Sequence, residues 1–383
     1  MTHHINHLPG RTIELDNSTF LFFSGTSYLG IGHQPIFRAA LTRGILKYGT
    51  IFSASRNGNL RLSVYDESEK FLAQKTGAAA ALTVTSGAIA GQVVVTFLKN
   101  NFFIYAQGVH PAIWKDNPKN IFSEEKDLNI IFEKFFEKKN SEKNSEKNSE
   151  KKIPEKIFEK KNIVIAANAI DPLTCLPTDW SFIKNLPADK NITLLIDDSH
   201  GIGVTDENGS GIFQNIKNLC ADKKNIRLIV VASLAKACGI PGGVILSDEA
   251  TINALRILPL FVGASPIVPA YLQAFLDTQP MYDKARQRLE KNCRFFLSKL
   301  SAESKKQLRF LPNYPVFSMK DVALCPYLYD RGVFISQFAY PKQSDTPITR
   351  IIVSALHTEK DILKLAKAVN DFYKNKLYNI LCN

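Results

Sequence analysis

The stretch IRLIVVASLAKACGIPGG, Ile226–Gly243, decides the fold. Leu228, Ile229, Val230 and Val231 form an apolar run that predicts a buried strand. The chain then passes through Ser233 and Lys236 into a Cys-Gly-Ile-Pro-Gly-Gly turn, so a serine and a lysine are delivered to a strand end. A lysine held in such a loop invites covalent chemistry.

Working outward, short apolar runs at Phe102–Ala106, Ile163–Ala166, Thr193–Ile196 and Gly243–Ser247 predict further strands. Crossovers of helical or loop length separate them, which argues for an α/β domain with a largely parallel sheet and helices on both faces. Ligands of such sheets sit at the carboxyl ends of the strands, where Asp197, Ser233 and the Ser86-Gly87 turn converge. Upstream, Ile36, Phe37, Ala40, Leu41 and Ile45 recur at helical spacing within Gln34–Tyr48, and a second helical pattern covers Val64–Thr76. AAALTV, Ser86-Gly87 and AIAGQVVVTFL read as strand, turn and helix, and a helix N-terminus there would welcome a phosphate. An ordinary strand-to-helix turn accounts for the same residues.

The last hundred residues change character. A helix over Met281–Leu300, strands at Val316–Met319, Val333–Gln337 and Arg350–Ala355, and a closing helix from Thr358 to about Tyr373 predict a small α+β domain. The expected organisation is a lead-in over 1–30, a large domain over 31–275 and a small domain over 276–383. Residues 133–161, with SEKN repeats and no apolar residue between Lys138 and Lys152, predict a solvated surface insertion without chemistry.

Composition narrows the function classes. The 383 residues are 45% hydrophobic and 22% charged, as in a globular protein. No stretch approaches the ~20 apolar residues of a membrane span, and the N-terminus lacks a signal-peptide core, so a cytoplasmic location is expected. Part of the net charge of +12 comes from the lysine-rich insertion, and the rest is scattered. That pattern argues against nucleic acid and suits an anionic cofactor or substrate. Six widely spaced cysteines offer no C-x-x-C pair for zinc or redox work.

Four features carry the chemistry: Asp197 and His200 in LLIDDSHGIG, His110 in GVHPAIW, Lys236, and Ser86-Gly87. Singly, each has a plain account as a cap, a packed aromatic, a solvated lysine or a turn. Together they match pyridoxal phosphate, which requires a lysine for a Schiff base, a carboxylate for its pyridine nitrogen, an anion site and a flat group over its ring.

These motifs give the chain a resemblance to the α-oxoamine synthases, which include 8-amino-7-oxononanoate synthase and glycine C-acetyltransferase, within the fold-type I pyridoxal-phosphate enzymes (aminotransferase class I/II). DDSHGIG followed by SLAKACG carries it most strongly, supported by FSGTSYLGIG, TSGAIAGQ and RIIVSALHTEKDI. Ordinary aminotransferases usually follow the aspartate with E-x-Y instead of D-x-H. The resemblance implies a mostly parallel, seven-stranded-type sheet and a small C-terminal domain. By position it makes Lys236 the Schiff-base lysine, Asp197 the partner of the pyridine nitrogen and His200 the neighbour of the phenolic oxygen. His110 would stack on the ring, while Ser86, Gly87, Ala88 and Ser233 would hold the phosphate. Ser265 would reach the phosphate of a neighbouring subunit, implying a homodimer, and Arg350 would bind the substrate carboxylate.

The implied reaction condenses an amino acid with an acyl-CoA through an external aldimine, usually with decarboxylation. Two other readings stand beside it: an aminotransferase using the same cofactor, and a silent scaffold without one. The chain departs from the family at Asn168, where Glu is usual, at Pro172, where Ser is usual, and in its short N-terminal segment.

Overall fold

A computed structural model of the chain describes residues 3–116, 161–339 and 347–381. The expected surface insertion, apart from Lys161, lies outside the described residues. Strands β3 (Ala80–Val84), β4 (Phe102–Tyr105), β5 (Asn162–Asn168), β6 (Asn191–Asp197), β7 (Ile226–Ser233) and β8 (Gly243–Ser247) form one sheet in the order β3-β8-β7-β6-β5-β4. The ladders from β4 to β7 are parallel, and β8 runs antiparallel to both its neighbours. Six strands of this sheet are among the described residues, against seven expected.

Burial on both faces explains the near-continuous apolar strands. Leu194 and Ile196 pack into one cluster with Phe213 and Phe275, while Leu195, Ile229 and Val231 pack into the other with Val93, Val94 and Leu255. Alternation of side chains across a strand divides them this way. Helices α1 (Pro35–Tyr48), α2 (Ser63–Thr76), α3 (Gly87–Phe97), α4 (Phe213–Leu219), α5 (Glu249–Arg256), α6 (Pro259–Gly263) and α7 (Pro269–Asp277) accompany this sheet, and the 21-residue α8 (Gln279–Lys299) leads away from it.

A second sheet collects strands from both ends of the chain. Its order is β1-β2-β11-β12-β10-β9, with β1 (Thr12–Leu15), β2 (Ser18–Phe23), β9 (Arg309–Phe310), β10 (Val316–Met319), β11 (Val333–Phe338) and β12 (Ile348–Ile352). The β1–β2 hairpin turns on Asp16 and Asn17, both at positive φ, as a two-residue primed turn requires. Parallel pairing of β2 with β11 then joins the N-terminal segment to the C-terminal strands. Helices α9 (Ala302–Lys306), α10 (Leu324–Tyr329) and α11 (Glu359–Leu381) complete this region.

Strand β12 ends at Ile352, short of the expected Ala355, because Ser354 and His357 close a turn: the Ser354 amide donates to His357 Nδ1 at 3.0 Å. His357 is 1% exposed, stacks on Phe23 with centroids 3.8 Å apart, and has Nε2 3.0 Å from the Phe22 carbonyl. Burial, opposed by the Phe22 hydrogen bond and Asp361 and reinforced by Arg11 and Arg288, lowers its pKa from 6.5 to about 4. The unfolded chain therefore binds a proton before the folded one as pH falls. Stability from His357 is fully present above pH ~6.5 and is lost as pH drops toward ~4, about 3 kcal/mol in all. Urea unfolding at the two ends of that window is expected to show the loss, and His357→Gln is expected to flatten it.

Candidate active site

The carboxyl ends of β3, β6 and β7 meet at one edge of the large sheet, and each supplies one part of the site. After β3 the chain turns at Ser86, whose side chain accepts from the Ile89 amide at 3.2 Å and so caps α3. The Gly87 and Ala88 amides in that first turn have no acceptor within the helix, and the helix dipole adds positive potential. Gly87 has to be glycine: a Cβ there would lie 2.7 Å from Ser233 Cβ and 2.9 Å from its Cα. The missing side chain lets the helix N-terminus lie directly against the end of β7. Ser233 Oγ accepts from the Ala235 amide at 3.3 Å, which leaves its hydroxyl proton to donate elsewhere.

Beyond β7, Lys236 Nζ lies 2.9 Å from His200 Nε2. Burial lowers the Lys236 pKa, Arg350 pushes it the same way, and Asp197 and Asp198 oppose them. An amine disposed to lose its proton is the nucleophile that carbonyl chemistry needs. His200 is held well below its ordinary pKa, first by burial and then by the Lys236 and Arg350 charges, so it stays neutral.

Asp197 ends β6 and is 7% exposed. Its Oδ1 accepts from the Ser199 amide at 2.9 Å, which fixes the carboxylate plane, and its Oδ2 lies 3.8 Å from His110 Nδ1. The ring of His110 is itself set by the Ala112 amide, which donates to Nδ1 at 3.2 Å. Burial lowers the His110 pKa, with the Asp197 charge opposing. Arg350 on β12 enters from the second sheet: Nη1 donates to the Pro172 carbonyl, Cζ lies 4.8 Å from the Phe338 ring centre, and buried Nε has no protein partner among the described residues.

Lys236, His200, Asp197, His110 and Arg350 thus form one cluster beside the Ser86–Ala88 turn and Ser233. Ser265 stands apart, exposed between α6 and α7. Asn168 closes the His110 loop, accepting from the His110 amide at 3.1 Å and donating to the Gly108 carbonyl at 2.8 Å. Sequence reasoning missed Tyr28, although TSYLGIG was among the motifs quoted: its hydroxyl lies 2.8 Å from His200 Nδ1. It also missed Asp198, completely buried, whose pKa burial raises to about 7 and whose Oδ2 accepts from the Ile212 amide at 2.8 Å. A second carboxylate in a strand-end DDSH was the available signal.

This constellation defines a transferase of the pyridoxal-phosphate class. The chain belongs to the aminotransferase class I and II family, whose model matches residues 52–369, and its cofactor is pyridoxal 5′-phosphate. The residues fit that group: an amine depressed by burial, a carboxylate locked in one orientation, and an anion cradle that a Cβ would fill.

Among curated proteins, the chain is 25% identical over 378 residues to a putative 8-amino-7-oxononanoate synthase of Rippkaea orientalis, covering 96% of this chain and 93% of the relative. It is also 25% identical over 376 residues to the 8-amino-7-oxononanoate synthase of Petrotoga mobilis, covering 92% and 88%. Among solved structures it is similar in fold to a serine palmitoyltransferase from S. paucimobilis, with TM-score 0.75, 16% identity and coverage of 97% and 92%. The 8-amino-7-oxononanoate synthase from Francisella tularensis superposes with TM-score 0.65 at 20% identity, covering 94% and 99%. Among the described residues, no helix is long and apolar enough to cross a membrane.

Proposed function

We propose that the protein is an acyltransferase of the α-oxoamine synthase kind, joining an amino acid to an acyl thioester, with release of the substrate carboxylate as carbon dioxide. The observation that carries this reading is the histidine at position 200, hydrogen-bonded to Lys236 within DDSHGIG. Similarity to curated 8-amino-7-oxononanoate synthases over nearly the whole chain supports it.

The cofactor supplies an electron sink for a carbanion at the substrate Cα. Around it, each residue has a definite task. Lys236 would hold the cofactor, and its amine, whose pKa the surroundings lower, would serve as the base for the Cα proton. Asp197 would pair with the cofactor nitrogen, and His110 would lie over its ring. The Gly87 and Ala88 amides and the Ser233 hydroxyl hold the phosphate. Arg350 would bind the substrate carboxylate through its guanidinium, a planar donor suited to that group. The Pro172 carbonyl, which accepts a hydrogen bond from Nη1, holds the guanidinium in place.

A homodimer is part of the proposal. Leu46, Ile51, Leu60 and Ile257 are 83%, 57%, 69% and 75% exposed, large apolar side chains that a second copy would cover. Exposed Ser265 would then serve the partner's phosphate site.

Incubation with glycine, alanine or serine and a panel of acyl-CoAs, with free thiol as the readout, tests the reaction. Thiol release that depends on both substrates is expected. Transfer of the amino group to a keto acid without thiol release would instead establish an aminotransferase, and a protein that takes up no cofactor would establish a scaffold.

A further inference from the structure

The hydrogen bonds around Lys236 continue beyond His200. One imidazole bridges two groups, with Nε2 2.9 Å from Lys236 Nζ and Nδ1 2.8 Å from the Tyr28 hydroxyl. A neutral imidazole carries one ring proton, so whichever nitrogen accepts obliges the other to donate. His200 is neutral, facing Lys236, Arg350 and His110, all of which disfavour a second proton.

Tyr28 decides which nitrogen accepts. It is 1% exposed, and burial raises its pKa against the pull of Arg350, so it remains a hydroxyl donor. A buried phenol needs an acceptor. On its other side Tyr314 packs with ring centroids 6.3 Å apart, while the hydrogen bond of the Tyr28 hydroxyl runs to His200 Nδ1 at 2.8 Å. His200 Nδ1 is its acceptor.

The loop carrying Tyr28 is held in place. The Ala355 amide donates to the Tyr28 carbonyl at 2.9 Å, and Gly30, at φ +62, lies so close to Leu356 that a Cβ would fall 2.4 Å from its Cγ. The N-terminal segment and the turn after β12 therefore fix the hydroxyl jointly.

We propose that Tyr28 is a positioning residue that locks His200 as its Nε2–H tautomer, so that a donor faces Lys236 and the cofactor atoms beside it. This rests on the reading of Lys236 as the cofactor lysine. In that tautomer the Nε2–H donates a hydrogen bond to the lone pair of the amine, which favours its uncharged form. With cofactor in place, the same N–H stabilises negative charge on a neighbouring cofactor oxygen and so lowers the proton affinity of the nitrogen bonded to Lys236.

The test is the pH titration of the visible absorbance of holoenzyme carrying Tyr28→Phe, which keeps the ring and removes the hydroxyl. Loss of the tautomer bias is expected to raise the midpoint by about one pH unit. A purely structural role would lower thermal stability or cofactor affinity and leave the midpoint in place, and that result in cofactor-loaded Tyr28→Phe overturns the proposal. Nitrogen-15 NMR of histidine-labelled wild-type holoenzyme gives a reading independent of how the variant folds: Nδ1 of His200 is expected to be unprotonated, and a protonated Nδ1 overturns the tautomer. Wild-type protein without any cofactor band overturns both this proposal and the Lys236 reading, whereas a band with an unmoved midpoint overturns the tautomer alone.

Discussion

Lys236→Ala is expected to abolish the visible absorbance of the cofactor-loaded protein and to lower turnover by at least ~10³-fold, because on the proposed reading one substitution removes both the covalent anchor and the proton-transferring group. The structure separates these losses from unfolding. The half-buried Lys236 amine stands beside Arg350, with His200 as its hydrogen-bond partner, so alanine removes an amine that its surroundings disfavour as a cation and leaves a small space. Thermal stability should change little. The Ser86–Ala88 turn, Ser233 and Asp197 keep their own contacts, so the variant should still bind pyridoxal phosphate, but reversibly, and lose it on dialysis. A small primary amine added at high concentration is expected to restore part of the Cα proton exchange by occupying the vacated space. An absorbance band identical to that of the wild type would refute the assignment of Lys236.

The path from sequence to site was unevenly legible, for physical reasons. Strands β5, β6 and β7 are buried on both faces, so their sequences are continuous apolar runs that local reading detects, and β8 and β10 match the expected bounds. Residues at the ends of those strands, Asp197, Ser233 and Lys236, were therefore placed along with them. Arg350 could be joined to the cluster only through the family resemblance, since it arrives on a strand of the other sheet. Pairing of β2 with β11 was beyond local reading, because nothing in STFLFF names a partner at the far end of the chain. Tyr28 escaped for the same reason: its importance lies in a hydroxyl contact with His200, and spacing along the chain carries no trace of it. Asn168 shows the opposite case. A position where the chain departs from the family is, in the fold, the side chain that closes the His110 loop.

Asp197→Asn separates charge from shape most cleanly, and the expected loss in kcat is about 10²- to 10⁴-fold with a smaller change in KM. The amide can still accept from the Ser199 amide through Oδ1, so the side chain should keep its place. On the proposed reading, what disappears is the negative charge that would keep a cofactor nitrogen protonated, and with it the electron sink on which Cα proton removal would depend. The charge has a second effect whose sign is fixed. Asp197 is the foremost group raising the Lys236 pKa against burial, and it also raises that of His110. Removing it must lower both, so the limb of the pH–rate profile that reports the Lys236 amine is expected to move to lower pH as the maximum rate falls. A variant that merely distorted the site would lose rate without that acid shift. A shift to higher pH, or a loss of less than about tenfold, would mean that Asp197 does not face the cofactor nitrogen, and would undo the account of β6 as the strand that sets the electronics of the site.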